Sequence, residues 1–452
     1  MAERLVVIGG DAAGMTTATQ ARRLRPDLDI VAIERGTRTS YSACGIPFLV
    51  GGEVGSVDDL VVRTPQQLRE QHRIDVRIRH EAMAVDVDAR EVEVRDHEHG
   101  RTFRLGFDHL LLGMGASPHR PSAIDGIDRS NVYGVQTLED GERLLAVAER
   151  GECGNVVVIG GGYVGLEMAE AFLRRGCTVT VIEGKPEVMD TLDPDMGRLV
   201  SDAMRRHGID VRCGSRVRSI ADGVVVVGDG EGIPADLVVL GLGTSPNVAL
   251  AADAGIEIGP SGAIAVDRRQ ETSVEGVWAA GDCCESHHLV ADCKVHIALG
   301  THANKQARVA GTNIGGGYAT FPGVVGTAVT KVCDTEVART GLDEREAAAS
   351  GFEFHVARIE STTRAGYFPG TKPLTVKLLA ERRSGRVLGG QIVGQEGAAK
   401  RIDVIATVLH AGFDAEQMTA LDLSYAPPFA PVWDPVLVAA RKAASLVAEG
   451  TP

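Results

Sequence analysis

Cys44 stands alone in the short turn SACGIP, immediately before a predicted helix start. A thiol is a useful nucleophile only as the thiolate, and the N-terminus of a helix lowers a cysteine pKa because it stabilises the anion. Pro47 suits the first turn of such a helix, and Gly45 leaves room for a flat cofactor or a disulfide to approach the sulfur. The positions that could pair with Cys44 in a dithiol hold Thr39 and Leu49. The turn therefore predicts a single redox-active cysteine, and the alternative is a small buried apolar residue.

The other seven cysteines form neither a disulfide framework nor a zinc spacing in this chain of 452 residues, so we expect structural roles for them and no metal site. The net charge of −14 argues against nonspecific binding of nucleic acid. The N-terminus enters an apolar strand directly, without a secretory segment, and no apolar run is long enough to cross a bilayer. These features favour a globular cytoplasmic protein of two or three domains, without nucleic-acid or membrane partners.

Two stretches of the chain have the pattern of a dinucleotide-binding βαβ unit. In the first, a strand over residues 5–9 leads into the turn GGDAAG, a helix over about 13–24, and a second strand that ends at Glu34. A carboxylate at this strand end accepts hydrogen bonds from a ribose diol, while the helix N-terminus holds the pyrophosphate. The middle glycine position of the turn holds Asp11. The predicted cofactor-binding residues of this unit are Gly9, Asp11, Ala12, Ala13, Gly14, Glu34 and Arg35.

The second unit has its glycines at full G-x-G-x-x-G spacing, between an apolar strand and a helix. Its second strand closes on Glu183, which would repel the 2′-phosphate of NADP and bind the ribose hydroxyls of NAD. The nearby Lys185 weakens that preference, so NADH is expected and NADPH stays open. An exposed strand-end acid is the alternative for Glu183. The predicted cofactor-binding residues of this unit are Gly160, Gly162, Tyr163, Val164, Gly165 and Glu183.

Two similar segments, LLLGMGASP and LVVLGLGTSPN, each run from an apolar strand into a turn with glycine and proline. They stand where the chain would leave one nucleotide-binding domain and later return to it. After them, VEGVWAAGDCCE predicts a short strand that runs into Gly281 and Asp282 at the mouth of a helix. An acid in that place can hydrogen-bond a sugar-alcohol hydroxyl while the helix N-terminus faces a phosphate. Asp282 is therefore a further predicted cofactor ligand.

Together these motifs resemble the two-dinucleotide-binding flavoprotein disulfide reductases over almost the whole chain. The resemblance implies an α/β fold with two Rossmann-like dinucleotide-binding domains and a C-terminal α+β dimerisation domain, and hence a homodimer. It implies a discontinuous FAD-binding domain over residues 1–118 and 247–322, an NAD(P)H-binding domain over 119–246 and a dimerisation domain over 323–452. FAD would bind the first glycine-rich turn, Glu34 and Asp282, and NADH or NADPH would bind the second turn and Glu183.

The lone Cys44 is similar to that of the single-cysteine branch of this family, which comprises coenzyme A disulfide reductase, NADH oxidase and NADH peroxidase. In that branch the thiol alternates with a mixed disulfide to a small thiol or with a sulfenic acid. Oxidase and peroxidase members carry a histidine in the first glycine-rich turn, where this chain has Ala12. The missing acid/base group argues against efficient peroxide reduction. The resemblance is closest to coenzyme A disulfide reductase.

The matches to coenzyme A disulfide reductase lie along the first helix, in the cysteine turn and in the C-terminal region. Tyr425 in YAPP and Tyr367 in RAGYFPG match that branch's active-site tyrosines, and the resemblance implies that both come from the partner subunit. A phenol with a pKa of about 10 can donate a hydrogen bond or a proton to a leaving thiolate. Ordinary interface aromatics are the alternative. The matching substrate-binding residues are Thr16, Gln20, Arg23, Ser40 and His302.

Three positions depart from that pattern. Ala43 replaces an asparagine before the cysteine, Trp433 replaces a basic residue after YAPP, and His72, beside Arg73, replaces another. Since such basic groups neutralise the phosphates of coenzyme A, a different small thiol, a persulfide or a polysulfide is an alternative substrate. The predicted function is the NAD(P)H- and FAD-dependent reduction of such a sulfur substrate at Cys44. The open alternatives are a sulfenate-using NADH oxidase or peroxidase, and an electron-transfer or redox-sensing flavoprotein with a protein partner.

Overall fold

The computed structural model describes residues 3–151, 153–228 and 230–450. Its helices are α1 (Ala12–Leu24), α2 (Ile46–Val50), α3 (Pro65–His72), α4 (Leu138–Glu149), α5 (Tyr163–Arg174), α6 (Pro194–Arg206), α7 (Ala249–Asp253), α8 (Gly300–Ile314), α9 (Glu344–Ala349), α10 (Ile402–Ala411), α11 (Ala415–Thr419) and α12 (Pro435–Gly450). Within the described residues, none of these helices has the length and apolar character needed to span a membrane.

The strands of the first half are β1 (Arg4–Ile8), β2 (Asp29–Glu34), β3 (Asp75–Ile78), β4 (His80–Asp86), β5 (Glu91–Asp96), β6 (Arg101–Gly106), β7 (His109–Leu112), β8 (Ala116–Pro118), β9 (Val132–Tyr133), β10 (Asn155–Ile159), β11 (Thr178–Ile182) and β12 (Asp210–Arg212). The strands of the second half are β13 (Val217–Ala221), β14 (Val224–Val227), β15 (Glu231–Pro234), β16 (Leu237–Leu240), β17 (Thr244–Pro246), β18 (Val277–Ala279), β19 (Ser286–His288), β20 (Cys293–Val295), β21 (Ala328–Val332), β22 (Thr335–Gly341), β23 (Phe354–Thr362), β24 (Pro373–Glu381) and β25 (Val387–Gly394).

The first parallel sheet has the strand order β18-β7-β1-β2-β3. Leu5 and Val7 of β1 pack with α1 and α8 on one face, whereas Val6 and Ile8 pack with the antiparallel β4-β5-β6 sheet on the other. Because both faces are covered, β1 is a continuous apolar run. The carboxyl ends of β1 and β2 meet at one edge of the sheet, and this edge carries the first glycine-rich turn and Glu34.

The second parallel sheet has the order β12-β11-β10-β16-β9 and repeats the first. Strand β10 pairs with β11 from Asn155 opposite Thr178 to Ile159 opposite Ile182. The antiparallel β13-β14-β15 sheet packs on one face through a cluster that includes Val157. This repetition confirms the prediction of two Rossmann-like folds in one chain.

Two short strands join the parallel sheets. The chain runs on from β7 through β8 and comes back from β16 through β17, and β8 and β17 pair antiparallel. The Oγ of Ser117 donates a 2.8 Å hydrogen bond to Oδ1 of Asn247, whose Nδ2 donates a 2.8 Å bond to the carbonyl oxygen of Met114. The two similar segments noted in the sequence are therefore hydrogen-bonded to each other.

The C-terminal sheet is antiparallel, with the order β21-β22-β25-β24-β23. Helices α10, α11 and α12 pack on it in a large apolar cluster. Antiparallel strands with helices gathered beside them form an α+β architecture, so the predicted fold class is confirmed for this region too.

Lys377 of β24 connects the C-terminal sheet to the N-terminal end of α6. Its side chain is only 2% exposed, and its Nζ lies 3.0 Å from Oδ2 of Asp193 and 2.7 Å from Oδ1 of Asp195. Glu344 at the start of α9 also pairs with this ammonium group. Asp193 is fixed in turn by Gln391 of β25, whose Nε2 donates a 2.7 Å hydrogen bond to Oδ2. A buried charge surrounded by partners ties these elements together.

Candidate functional site

Gly9 and Gly14 form the first dinucleotide turn, at the carboxyl end of β1. Gly9 has a φ of +110°, and a Cβ there would lie 2.1 Å from the carbonyl oxygen of Gly113. A Cβ on Gly14 would lie 1.8 Å from the carbonyl oxygen of Gly9, where α1 meets β1. Because no side chain fits at either position, this strand–helix turn requires the glycine spacing.

The second turn repeats this geometry. Gly160 has a φ of +102°, and a Cβ on Gly165 would lie 2.0 Å from the carbonyl oxygen of Gly160. At Gly162 the nearest atom to a Cβ is the carbonyl oxygen of Gly241, 3.9 Å away. The space beside Gly162 is therefore not filled by protein, which fits the close approach of a pyrophosphate. Asp11 holds the corresponding position in the first turn.

Asp11 joins the first turn to the cysteine loop. Its Oδ1 accepts a 3.0 Å hydrogen bond from the backbone N–H of Tyr41. Burial raises the pKa of the Asp11 carboxyl to about 6, and the negative charges of Glu34 and Asp282 act in the same direction. The three carboxyl groups therefore influence one another at one end of the first sheet.

The two strand-end acids are held by backbone amides in the same way. The Oε2 of Glu34 accepts a 2.7 Å hydrogen bond from Gly10 N–H, and Oε2 of Glu183 accepts a 2.8 Å bond from Gly161 N–H. Each second oxygen accepts from the amide two residues further along the chain. A carboxylate offers about four lone-pair sites, so both acids keep acceptor capacity for ribose hydroxyls. The amide contacts orient the acids before a nucleotide binds.

The remaining residues predicted for the two turns have different environments. Ala13 is buried in the first turn of α1, next to Ala12. Arg35 is exposed and reaches Glu81 over 3.9 Å. The hydroxyl of Tyr163 accepts a 3.4 Å hydrogen bond from Thr191, whereas Val164 is 36% exposed at the start of α5. Their roles as cofactor ligands stay predictions.

Asp282 follows β18, but it does not begin a helix. The chain instead turns, forms the β19–β20 hairpin and enters α8 only at Gly300, so the predicted helix mouth at Asp282 is wrong. The physical reason is that Ser286 to His288 pair with Cys293 to Val295, which commits the segment to extended backbone. The Oδ1 atom of Asp282 is buried without a hydrogen-bond partner among the described residues.

This set of groups fits FAD. The unpaired oxygen of Asp282 suits a hydroxyl donor of the ribityl chain, since a buried acceptor without a donor is costly. Burial raises the pKa of Asp282, against the smaller opposite effect of His296. The Gly9 turn can approach a pyrophosphate, and Glu34 at the end of β2 suits a ribose diol. The second turn, with Gly162 and Glu183, fits NADH in the same manner.

The space left by the missing side chain of Gly45 is filled by protein, contrary to the expectation from the sequence that it admits a ligand. A Cβ on Gly45 would lie 2.2 Å from Cδ2 of Leu60, so the space is filled by that side chain. Cys44 lies in a short 3₁₀ turn, and Pro47 occupies the first turn of α2 as predicted. The glycine therefore lets the cysteine loop pack tightly against Leu60.

The pKa of the Cys44 thiol is raised, so the expected lowering by a helix N-terminus is wrong for the protein chain itself. The main cause is removal of water by the surrounding protein, followed by the negative charges of Glu167 and Asp282. Helix α2 has only five residues, and its dipole is correspondingly small. The thiol nevertheless remains exposed at the surface of the protomer, which leaves it open to a small molecule.

Glu167 was not found by the sequence reasoning. It lies on α5, directly after the glycine motif of the second unit, and its Oε1 accepts a 2.7 Å hydrogen bond from Oγ1 of Thr330. Burial raises the pKa of Glu167, and the nearby charge of Glu170 adds to this effect. The signal available in the sequence was a pair of acids, Glu167 and Glu170, within the mostly apolar stretch of α5. Through Glu167 the second unit influences the electrostatics of Cys44.

The three predicted substrate residues of α1 share a face that is turned toward α8. Oγ1 of Thr16 donates a 2.8 Å hydrogen bond to Asn304, and Nε2 of Gln20 donates a 3.0 Å bond to Thr312. Arg23, at the exposed end of this face, donates a long bond of 3.4 Å to Gln20. The face is thus partly used in helix packing, and Arg23 is the exposed member.

Ser40 and His302 lie on either side of α1. Ser40 has a φ of +48°, and its carbonyl oxygen accepts a 2.7 Å hydrogen bond from Val62. His302, in the first turn of α8, is buried, and burial lowers its pKa. The Nδ1 of His302 is buried without a hydrogen-bond partner among the described residues. A neutral imidazole with a spare polar atom suits a substrate amide or hydroxyl better than a phosphate.

A group of basic residues surrounds the outer end of α1. His72 at the end of α3 feels the positive charges of Arg63 and Arg23, and burial together with these charges lowers its pKa. Arg73 follows in a left-handed conformation, and its carbonyl oxygen accepts a 2.8 Å hydrogen bond from Arg22. Arg63 was not among the predicted residues. The arginines therefore give this region more positive charge than the replacement of a basic residue by His72 suggests.

Tyr367 and Tyr425 lie together in the C-terminal domain. The Tyr367 side chain is 78% exposed and the Tyr425 side chain 47% exposed. Loss of water and the interaction with the Tyr367 phenol raise the pKa of Tyr425. Their loops are joined where Ala365 N–H donates to the carbonyl oxygen of Pro427. The structure thus brings the two predicted tyrosines together, on the outside of the protomer.

An exposed apolar patch continues from these tyrosines. We call the surface formed by Phe429, Val432 and Trp433 the aromatic patch. Phe429 is 75% exposed, Val432 is 68% exposed and Trp433 is 50% exposed. The guanidinium of Arg441 lies 4.7 Å from the centre of the Trp433 ring. Several large apolar side chains exposed side by side indicate a surface that another protein covers.

Comparison with known proteins identifies both regions of the chain. Residues 3–307 match the family described as pyridine nucleotide-disulphide oxidoreductase, and residues 327–435 match its dimerisation domain. An NAD(P)H coenzyme A polysulfide/persulfide reductase from Pyrococcus horikoshii is 37% identical over 98% of both chains. An NADH oxidase from Methanocaldococcus jannaschii is 35% identical over 97% of this chain and 98% of its own.

A coenzyme A disulfide reductase from Staphylococcus epidermidis is 26% identical over 94% of this chain and 96% of its own. Among solved structures, an NAD-dependent persulfide reductase from A. fulgidus superimposes with a TM-score of 0.95 at 39% identity. That match covers 98% of this chain and 83% of the other. The sequence resemblance, the two dinucleotide folds and the cofactors FAD and NAD(P)H are thereby confirmed. The chain belongs to the pyridine nucleotide-disulphide oxidoreductase family.

Proposed function

We propose that this chain uses NAD(P)H and FAD to reduce a disulfide or persulfide of coenzyme A at Cys44. The observation that carries the proposal is the environment of that thiol. It is exposed at the protein surface, yet it feels the charge of Asp282 in the FAD cradle and of Glu167 on α5. A lone thiol between the two dinucleotide units is suited to pass electrons from the FAD of the first unit to a sulfur substrate.

Cys44 acts as the nucleophile. Its thiolate attacks one sulfur of the substrate, the substrate S–S bond breaks, and a mixed disulfide forms as one thiolate leaves. The leaving thiolate takes a proton, for which Tyr425, assisted by Tyr367, is the proposed donor. When bound, FAD supplies the two-electron transfer from NAD(P)H that releases the second thiol and restores Cys44.

Both tyrosines are proposed to act in the partner's active site in a homodimer. Both tyrosines are exposed on a single protomer, which supports this assignment. A tyrosine that donates a proton in an active site is shielded from water, and here a second protomer would provide that shielding. The aromatic patch around Phe429 and Trp433 supplies the apolar surface that a second copy would bury.

Coenzyme A is the preferred thiol because of the basic residues at the outer end of α1. The positive charges of Arg23 and Arg63 both act on His72, so the three side chains lie within reach of one polyphosphate. The names of the relatives from Pyrococcus horikoshii and Staphylococcus epidermidis point the same way. The use of NAD(P)H supports a cytoplasmic setting.

The test is Cys44→Ser in the FAD-loaded protein. We expect NADH-dependent reduction of coenzyme A disulfide to fall by at least 10³-fold, since no nucleophile remains, while FAD stays bound and NADH still bleaches its absorbance. Cys293→Ser, at another exposed cysteine, is the matched control and should retain full turnover. Retention of disulfide turnover by Cys44→Ser would refute the proposal.

A second candidate function is NADH oxidation by O₂ through a sulfenate at Cys44. The 35% identical relative named as an NADH oxidase favours it, whereas Ala12 supplies no acid/base group for peroxide chemistry. Fast NADH consumption in air without any disulfide would favour the oxidase. A long-lived NADH-reduced protein that reacts with neither acceptor would favour electron transfer to a protein partner.

A further inference from the structure

Cys153 and Cys177 bring their sulfur atoms into contact in the second parallel sheet. The two Sγ atoms are 3.2 Å apart, and the side chains are 5% and 8% exposed. Within the part of the chain that the structure describes, the sulfur atoms of Cys213, Cys283 and Cys284 instead contact oxygen atoms. The pair lies at the amino ends of β10 and β11, whereas Gly160 and Glu183 lie at the carboxyl ends. It therefore plays no part in the nucleotide site.

The backbone places these cysteines at a spacing that a disulfide can bridge. Asn155 lies opposite Thr178 in the parallel ladder, and Thr178 N–H donates a 2.8 Å hydrogen bond to the carbonyl oxygen of Gly154. Cys153 and Cys177 thus belong to neighbouring chain segments, and Cys153 is offset by one residue from the position directly opposite Cys177. This arrangement corresponds to a Cα separation of roughly 6 Å. Disulfides span Cα separations of about 4.4–6.8 Å.

We propose that Cys153 and Cys177 form a reversible disulfide that staples the amino ends of β10 and β11, and that low-molecular-weight disulfides oxidise the pair. One cysteine attacks the small disulfide RSSR and expels RS⁻, which takes up the proton of that thiol. The second cysteine attacks the resulting mixed disulfide and expels the second RS⁻. Two protein thiols and RSSR thereby become one protein disulfide and two molecules of RSH.

The surroundings explain how the buried pair becomes accessible. Burial, together with the contact to Cys153, raises the pKa of Cys177 to about 12, so the Cys177 thiol is protonated at rest and reacts slowly. The chain on both sides is exposed and turns at glycine: Gly151 has a φ of +66° and Gly176 a φ of +82°. Opening these two surface turns exposes both sulfurs without disturbing the sheet. Closing the bond then needs the sulfurs to approach by roughly 1.2 Å.

Trypsin separates the two cysteines, which makes the test direct. Cleavage after Arg150, Arg174 and Arg175 yields one peptide over residues 151–174 and a second that starts at residue 176. FAD-loaded protein is incubated with oxidised glutathione, denatured with iodoacetamide and digested without reductant. We expect the two peptides as a linked species 2 Da lighter than their free-thiol sum, and this species should vanish with dithiothreitol.

The matched variants are Cys177→Ala, which removes one partner, and Cys213→Ala, which removes a half-buried cysteine outside the pair. Oxidation should raise the melting temperature of the wild type and of Cys213→Ala by several degrees, because a cross-link restricts the unfolded chain. Cys177→Ala should show no such rise. Separate alkylation of Cys153 and Cys177, under conditions that fully modify the exposed Cys293, would overturn the proposal. None of these outcomes depends on the proposed reductase activity.

Discussion

Cys44 shows that a reactive cysteine is not explained by a nearby helix terminus alone. The protein around it raises the thiol pKa, through lost water and through the charges of Glu167 and Asp282. The reactivity that we propose for Cys44 therefore requires a contribution from the bound substrate or cofactor, because the thiol is not intrinsically acidic. The type and position of this residue could be predicted from the sequence, whereas its electrostatics depended on α5, which lies far away along the chain.

Glu167→Gln should lower the pKa of Cys44, because the substitution removes a negative charge that opposes the thiolate. We expect the pH midpoint of Cys44 alkylation by iodoacetamide to fall by about half a unit, measured by mass spectrometry on FAD-loaded protein. Glu53→Gln is the control, since Glu53 is bound to Arg174 and is not among the charges that shift Cys44. An unchanged midpoint in Glu167→Gln would show that the charge does not reach the sulfur.

Asp11 should make the flavin-free protein less stable as the pH rises. Its pKa in the folded protein is about 6, above the ordinary aspartate value of 3.8, so the folded state favours the protonated form. This contribution is fully present below pH 3.8 and is lost as the pH passes 6. Asp11→Asn keeps an oxygen for the Tyr41 amide, and we expect it to gain roughly 2 kcal/mol over wild type at pH 8.

Urea denaturation of flavin-free wild type and Asp11→Asn at pH 4 and pH 8 measures this difference. The two proteins should differ little at pH 4 and clearly at pH 8. An equal difference at both pH values would mean that ionisation of Asp11 is not the cause.

At the scale of elements, the glycine spacing predicted both dinucleotide turns because backbone sterics leave no alternative at Gly9, Gly14, Gly160 and Gly165. The interpretation of VEGVWAAGDCCE failed for a different reason. The strand was predicted correctly, but the pairing of β19 with β20 that follows Asp282 joins residues five to nine positions apart and has no local signature in the sequence. Likewise, the role of Gly45 depends on Leu60, which the sequence does not connect to it.

Gly45→Ala should destabilise the cysteine loop, because the added methyl group would lie 2.2 Å from Leu60. Overpacking of this kind costs about 1–3 kcal/mol, which should appear as a lower melting temperature. The double variant Gly45→Ala with Leu60→Ala should lose less stability than the two single changes predict together. Gly106→Ala, at an exposed glycine with open space, is the control. Additive losses in the double variant would contradict the packing account.

At the scale of the whole molecule, the aromatic patch is the feature that a single protomer does not explain. The family match identifies this region as a dimerisation domain, and the exposed side chains of Phe429, Val432 and Trp433 give that assignment a physical basis. The sequence predicted the domain through resemblance and through the change from βαβ to alternating strands. The location of the patch required the folded C-terminal sheet and its helices.

Trp433→Glu should weaken self-association, because a charge in the centre of an apolar interface is costly. We expect the dimer dissociation constant, measured by analytical ultracentrifugation, to rise by at least tenfold. Disulfide reduction should fall in parallel, since Tyr425 and Tyr367 would leave the partner's site. Tyr318→Glu alters a more exposed aromatic ring outside the patch and should leave the dimer intact. A stable dimer in Trp433→Glu would show that the dimer interface lies elsewhere on the protein.

The pairing of β8 with β17 has a consequence for how such a chain can be rebuilt. The outgoing and returning segments lie side by side, about 4.8 Å apart, so everything between them is attached through a single double-stranded stem. Cutting at this stem and closing it with a short loop would leave the first parallel sheet connected. The lobe beyond the stem can therefore be exchanged at one covalent junction for a lobe with a different nucleotide preference. The new lobe would still have to supply the contacts made outside the stem, which are those of Glu167 with Thr330 and of Asp193 with Lys377.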